Sequence, residues 1–310
     1  MKTFSSTLFL CALALVSGAA CAQSTLADPF RDSRYMSGFR DVAPSAVPEA
    51  LRDADTLTRI QGTGRIGACA DPYSFPSTEI TDEARGYDVD LLRLVAAEQG
   101  WEVQFVWVNT VNRGGLNRAF RTTIRGGSCD VFLGLGTGGM EDALKKSKLV
   151  LIEPTFAVRY VLVTFDPALA DRKLAQLAKD GTVVGATYFS PAEKLLDAEG
   201  LKHEAFPEAR RAIQALAEGR VAAALIPSTS LAEARRAYPD RVVHVVENFV
   251  PADAASWNNT WAVRQQDGSL KAFLEQRLAA LRQSGQLQAL LGRYGIPYYA
   301  PAASVTGALQ

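Results

Sequence analysis

The chain has 310 residues, 48% of them hydrophobic, with 33 basic side chains against 33 acidic ones and a formal net charge of zero. That length is enough for a sizeable core in one large or two medium domains. Balanced charge, with no basic patch interleaved with aromatics, speaks against a nucleic-acid surface, and no segment after the N-terminus is long and apolar enough to span a bilayer.

Residues 1–22 read as a secretory signal peptide. Lys2 supplies the positive start, residues 8–16 the apolar run, and Ala20-Cys21-Ala22 an A-x-A cleavage site before Gln23. The alternative, a lipoprotein acylated at Cys21, meets Gly18 where a branched aliphatic is usual. The mature protein is therefore expected to be exported to the periplasm and soluble. Cys11 and Cys21 leave with the signal, so Cys69 and Cys129 remain. An even pair in an oxidising compartment is a disulfide signal. However, one is expected near the end of a strand and the other at the start of a parallel neighbour. A bridge needs Cα atoms within about 7 Å, so two buried thiols are expected instead.

Residues 23–61 form an N-terminal arm, of which 23–45 lack periodicity and 48–60 suit a short docking helix. From Arg65 the pattern alternates: strand 65–70, helix 89–99, strand 102–108, helix 115–125 and strand 130–135. This βαβαβ run implies a parallel sheet with helices on its faces. Residues 149–154 and 158–164 look extended. A second α/β series follows, with helices 170–179, 191–199, 207–218 and 231–238 and strands 183–186, 203–206, 222–226 and 242–246. Residues 261–264 then precede two amphipathic helices, 270–284 and 287–292, expected to return to the first unit. Two α/β units joined by extended crossings give two lobes facing a cleft.

The most informative stretch is 65–100. An apolar strand stops at Asp71-Pro72, Tyr73 and Phe75 follow on a turn, and Gly86 leads into Asp88, Asp90 and a helix. Aromatic, acidic turns at the carboxyl edge of an open α/β sheet are where such proteins hold small ligands. Asp71 is the carboxylate that suits the cleft, whereas Asp88 and Asp90 fit a helix's first turn, where negative charge favours the dipole. Tyr73, Phe75, Tyr188, Phe189, Trp257 and Trp261 fall at strand ends or crossings, where some would wall a small-molecule site.

Gly134-Leu135-Gly136-Thr137-Gly138-Gly139 satisfies G-x-G-x-x-G. The dinucleotide fingerprint belongs on the first strand of its unit and this one follows the third, so no cofactor is expected. The loop is read instead as backbone N–H groups and Thr137 lining the cleft. His203 and His244, the two histidines, lack metal-ligand spacing. Ser190 and Ser228 lack a His–Asp partner, so neither metal nor nucleophilic catalysis is expected.

ADPYSFP, GYDVDLL, GGSCDVFLG, KSKLVLIEPTF, VGATYFSPAEKLL, EGRVAAAL and LLGRYG, in this order and spacing, resemble a family 3 extracellular solute-binding protein over residues 65–297. The resemblance implies a type II periplasmic binding protein fold: two α/β lobes that close on a solute by hinge motion. Lobe one would hold 62–160 and 262–301, lobe two 161–261, with 302–310 a tail. Amino-acid binders of this family carry an Arg after the third-strand loop to clamp the ligand carboxylate and a second-lobe Asp for its ammonium. Here no Arg stands between Thr137 and Arg159, and Ala222, Ala223 and Pro227 occupy the second region. Burying a zwitterion without those partners is expensive, so a standard amino acid is not the expected ligand.

Cys69 before Ala-Asp-Pro, Cys129-Asp130-Val131 before the glycine loop, Val106-Trp107 and LLGRYGIP are similar to the J-type proteins associated with PQQ-dependent methanol and other quinoprotein alcohol dehydrogenases. The resemblance implies a non-catalytic accessory factor of such a dehydrogenase. Its ligand or partner segment would contact Asp71, Tyr73, Phe75, Thr137, Gly138, Thr187 and Tyr188. An ABC-importer receptor for a small non-amino-acid solute is the first rival, and a periplasmic dehydratase, with Asp71 as its acid, the remote one.

Overall fold

The computed structural model of the chain describes residues 54–111, 113–246 and 256–301. The expected signal peptide, residues 23–45 and the tail 302–310 lie outside the described residues. The elements run α1 (Thr56–Thr63), β1 (Arg65–Ala70), β2 (Tyr73–Ser74), β3 (Thr78–Ile80), β4 (Ala84–Arg85), α2 (Tyr87–Ala97), β5 (Glu102–Trp107), α3 (Gly115–Thr122), β6 (Val131–Gly136), α4 (Glu141–Ser147), β7 (Leu149–Leu151) and β8 (Phe156–Thr164). They continue with α5 (Pro167–Ala170), α6 (Leu174–Lys179), β9 (Val184–Thr187), α7 (Pro191–Ala198), β10 (His203–Phe206), α8 (Ala209–Ala217), β11 (Ala223–Pro227), α9 (Leu231–Ala237), β12 (His244–Val245), β13 (Ser256–Arg264), α10 (Gly268–Gln283) and α11 (Gln286–Arg293).

The main sheet has the order β10-β9-β11-β8-β13-β6-β1-β5, with β12 beside β8 and β7 beside β13. β1 lies between β5 and β6, parallel to both, and is buried on both faces at Ile66, Ala68, Cys69 and Ala70. That accounts for its near-continuous apolar sequence. On the other side β9, β10 and β11 form a second parallel set. The two sets meet through two nine-residue antiparallel strands. Residues 256–259 of β13 pair with 156–159 of β8; the rest of β13 pairs with β6 and β7, and the rest of β8 with β11 and β12. Each crossing strand thus serves both halves.

The terminal helices pack on the first half. Leu270, Leu274, Leu278 and Leu281 make one buried stripe on α10, at the spacing that puts side chains on a single helix face. Phe273 meets Trp101 at 5.1 Å, and the Tyr294 hydroxyl donates to Asp90 at 3.0 Å. Among the described residues no helix is long and apolar enough to cross a membrane.

Three expectations are corrected. Residues 170–179 are not one helix: Asp166 caps α5, Pro167 sits at its first position, and the chain turns before α6 begins at Leu174. Tyr73 is not on a plain turn but on β2 of a small antiparallel sheet, β2-β3-β4, whose strands are too short to show a periodicity, while Phe75 does lie in the turn between β2 and β3. Cys69 and Cys129 are not two thiols but a disulfide, with Cα atoms 5.7 Å apart. In register alone Cys129 would fall three residues short of Cys69, since Ala68 pairs with Val131. Instead the chain before β6 folds over Gly67, on the face that residues 67 and 69 share. Asp130 N donates to Gly67 O at 2.8 Å, and Gly67 N to the Asp130 carboxylate at 2.8 Å. A Cβ on Gly67 would stand 3.1 Å from Cys129 Cα, so glycine admits the crossing that brings the sulfurs together. Arg264, at the end of β13, fixes the same bend by donating to the Cys129 carbonyl at 2.7 Å.

Candidate functional site

A cavity of about 240 Å3 lies at the carboxyl end of β6, where the two halves meet. Its walls are residues 134–138, Met140 just before α4, Tyr87 from the first turn of α2, Val158 from β8, Trp257 and Asn259 from β13, and Thr229 from the second half. The glycine loop is pinned to β13: Thr137 N donates to Asn258 O at 2.8 Å, and Asn258 N donates to Thr137 Oγ1 at 2.9 Å. Gly134 has φ +72°, and a Cβ there would stand 2.6 Å from Ser77 Oγ. Glycine is therefore required by conformation and by space. None of the residues lining this cavity is charged. The loop leads into α4, a short helix with Glu141 and Asp142 in its first turn, which disfavours a diphosphate.

Behind the cavity wall is a buried polar network centred on Asp88. Trp261 Nε1 donates to Asp88 Oδ1 at 2.6 Å and Asn259 Nδ2 to the same oxygen at 3.0 Å. Ser77 Oγ donates to Asp88 Oδ2 at 2.8 Å. Asn259 also donates to Thr155 Oγ1 at 3.1 Å and accepts from the Tyr87 hydroxyl at 3.2 Å. Every donor to the carboxylate is neutral. Burial pushes its pKa up to about 6, against the pull of the bonds from Trp261, Ser77 and Asn259. Burial and the adjoining Asp88 charge likewise raise the Tyr87 hydroxyl. The reading of Asp88 as an ordinary first-turn acid is corrected: it does open α2, but as an interior group.

The seven expected contact residues separate. Thr137 and Gly138 line the cavity; Asp71, Tyr73, Phe75, Thr187 and Tyr188 are not among its lining residues. Asp71 is buried, and its carboxylate accepts from Tyr73 N at 2.8 Å and from Thr110 N and Oγ1 at 2.6 Å each, tying two loops together. Tyr73 is half-buried on β2, opposite Glu79. Phe75 lies under the Arg236 guanidinium at 3.5 Å, while Arg236 Nη1 donates to both Glu79 oxygens at 2.9 and 2.8 Å. Thr187 ends β9, and Tyr188 is 45% exposed with its ring edge-on to Phe189 at 5.3 Å. Ser190 caps α7, Ser228 Oγ accepts from Arg159 N at 3.3 Å, and His203 stands 3.8 Å from Glu193 and from Asp197. Among the described residues no cluster of three or more His, Cys, Asp or Glu is placed to hold a metal.

Tyr87, Met140, Val158, Thr229 and Asn259 are the cavity residues that sequence reasoning passed over. Asn258-Asn259 in the middle of a buried strand was the available signal, since buried amides require partners. A larger, open groove of about 880 Å3 lies at the amino ends of β9 and β11, the opposite end of the second half. Its walls take only Thr164, the last residue of β8, from the crossing strands and nothing from the glycine loop.

No protein-family model and no curated protein matches the sequence. Among solved structures, the chain is similar to the L-cystine solute receptor of Neisseria gonorrhoeae in its unliganded open conformation, with 18% identity and a TM-score of 0.61 over 79% of this chain and 98% of that one. It is similar to a polar amino acid ABC uptake transporter substrate-binding protein from Streptococcus thermophilus, with 18% identity and a TM-score of 0.60 over 79% of this chain and 92% of that one. An ancestral cyclohexadienyl dehydratase also matches, with 15% identity and a TM-score of 0.57 over 78% of this chain and 96% of that one. The fold is that of the type II periplasmic binding proteins. At these identities the likeness extends to the fold alone.

Proposed function

We propose that this protein is a periplasmic solute-binding protein serving an ABC importer, and that its ligand is a small uncharged organic solute. The observation that carries the reading is the uncharged cavity at the junction of the two halves, walled by Tyr87, Trp257, Thr137, Thr229 and glycine backbone. Small-molecule sites are of this kind, mostly apolar and aromatic with a few placed polar groups. An amino-acid zwitterion would leave both of its charges without a partner there. Hinge motion about β8 and β13 would expose and close the cavity. The dehydratase alternative needs an acid in the cavity, and the carboxylate expected to serve, Asp71, is instead engaged in joining two loops. The dehydrogenase-accessory reading rests on short sequence phrases, to which the fold adds nothing.

The test is a thermal-shift screen of the purified protein against sugars, polyols and neutral amides on one side and the standard amino acids on the other. An uncharged solute at one hundred times its Kd should stabilise the protein by about 2.7 kcal/mol, with no shift from amino acids. Micromolar binding of any zwitterionic amino acid would overturn the choice of ligand. Loss of a quinoprotein dehydrogenase's activity in a strain lacking this protein would overturn the importer role.

A further inference from the structure

The two oxygens of Asp88 lead to two different walls of the cavity. Oδ1 accepts from Asn259, whose own carbonyl oxygen accepts from the Tyr87 hydroxyl; Asn259 and Tyr87 both line the cavity. Oδ2 accepts from Ser77 Oγ, which packs against Gly134, a third lining residue. Through Trp261 and Asn259 the same carboxylate also ties α2 to β13, the strand that crosses between the halves. We propose that Asp88 is a positioning residue of the cavity, and that its charge state sets the hydrogen-bonding face presented by Tyr87, Asn259 and Gly134. The inference rests on the reading of this cavity as the solute site.

The chemistry of the switch follows from donor counting. As an anion, Asp88 accepts three hydrogen bonds and donates none. On taking up a proton it must donate one, and Ser77 Oγ is the hydroxyl placed to accept it. Ser77 then turns its own O–H away from Oδ2, beside Gly134. The remaining carbonyl oxygen accepts more weakly from Trp261 and Asn259, because charge-assisted bonds are the stronger ones, so the grip on the Asn259–Tyr87 pair loosens. Among the described residues, the groups facing Asp88 are Ser77, Trp261 and Asn259, all uncharged, and Tyr87, which stays protonated at neutral pH. Asp90, two residues on, is turned to Tyr294, Arg93 and Arg293. The proton equilibrium of Asp88 lies near pH 6.

The experiment is a proton and nitrogen NMR titration of the intact mature protein from pH 4.5 to 7.5, without added solute. The Trp261 indole N–H, the Gly134 amide and the Tyr87 ring are the reporters. The expected result is one shared midpoint for all three, lost at all three in Asp88→Asn, in which the amide imitates the protonated acid. In Asn259→Ser, Trp261 and Gly134 should keep titrating while the Tyr87 response shrinks to what the adjoining Asp88 charge and Ser77 alone produce. A wild-type titration in which Trp261 moves and Gly134 and Tyr87 do not would overturn the proposal, even if neither variant folds. A protein that titrates as expected yet binds no uncharged solute would keep the positioning role and lose the solute reading. One that binds such a solute while Gly134 and Tyr87 stay silent would do the reverse.

Discussion

Asp71 and Asp88 stand at the two ends of one stretch of chain, the turn after β1 and the start of α2, and both are buried. Asp71 is met by backbone and hydroxyl donors of its own turn and of the loop after β5. Asp88 is met by three side chains from two separated segments, Ser77 from the turn before β3 and Asn259 and Trp261 from β13, and Asn259 lines the cavity. The sequence makes Asp71 look like the ligand-facing group and Asp88 like helix-end decoration; in the fold Asp71 joins two loops, and Asp88 centres a buried network that includes Asn259 of the cavity wall. What each carboxylate holds together follows from which elements its donors come from, not from the motif around it.

The largest effect that would sharpen the contrast is at the Asp71 end, where the disulfide closes two residues before it. The bridge spans a sequence separation of 60 residues, for which loop entropy gives about 4 kcal/mol. Replacing both cysteines, Cys69→Ser with Cys129→Ser, should lower stability in urea by about that amount. A loss under about 1 kcal/mol would mean that sheet pairing alone holds the Asp71 end.

The next effect belongs to Asp88 and has an unusual sign. Its folded pKa of about 6 lies above its ordinary value of 3.8, so between those values the folded protein keeps a proton that the unfolded chain has released. The stability from this group is full below about pH 4 and is lost as pH rises through 6, by about 3 kcal/mol in all. Asp88→Asn lacks the titration. The stability difference between wild type and variant, followed by urea melts from pH 4 to 7, should therefore shift by about 3 kcal/mol in the variant's favour. Glu233 on α9, raised by burial to about 7, adds a slope of the same sign to both proteins and cancels from the difference. A flat difference would place Asp88 beside Asp71 as a purely local tie.

At Asp71 the expected effect is smaller and confined. Asp71→Ala leaves the N–H groups of Tyr73 and Thr110 without their acceptor, which costs about 1–3 kcal/mol. Hydrogen exchange should quicken at Thr110, with no change at the Trp261 indole. Movement at Trp261 would show that the two carboxylates belong to one network and would dissolve the comparison.

The alternation of strands and helices was legible because each βα unit carries its own period and turn signals, and the family-like phrases gave the fold its name. The glycine loop was legible as well, and Thr137 and Gly138 do line the cavity. What the chain does not display is contact across the crossing strands. Asn259 meets Asp88 over a separation of 171 residues and Tyr87 over 172, and no local pattern encodes such a meeting. The disulfide was missed for a similar reason, since strand register predicts distance only where the chain stays in register, and Gly67 lets it leave.

The smallest effect concerns the second half, where the exception is apolar and outward instead of polar and inward. Phe189 is 90% exposed and holds φ at +56°, a conformation that costs a non-glycine residue about 1–2 kcal/mol. Its N–H is fixed by the Glu193 carboxylate at 2.6 Å, so the turn and not the ring dictates the backbone. Phe189→Gly removes that cost and loses little burial, while the freer unfolded chain takes back about 0.4–1 kcal/mol. Thermal or urea melts should therefore show a gain of about 0.5 kcal/mol. A gain would mean that the ring contributes nothing to the fold and that the Tyr188–Phe189 pair is an outward-facing surface of the second half, set apart from the buried network around Asp88. A loss of 1 kcal/mol or more would mean that its edge contact with Tyr188 outweighs the backbone cost, and would make Phe189, like Asp71, a local tie.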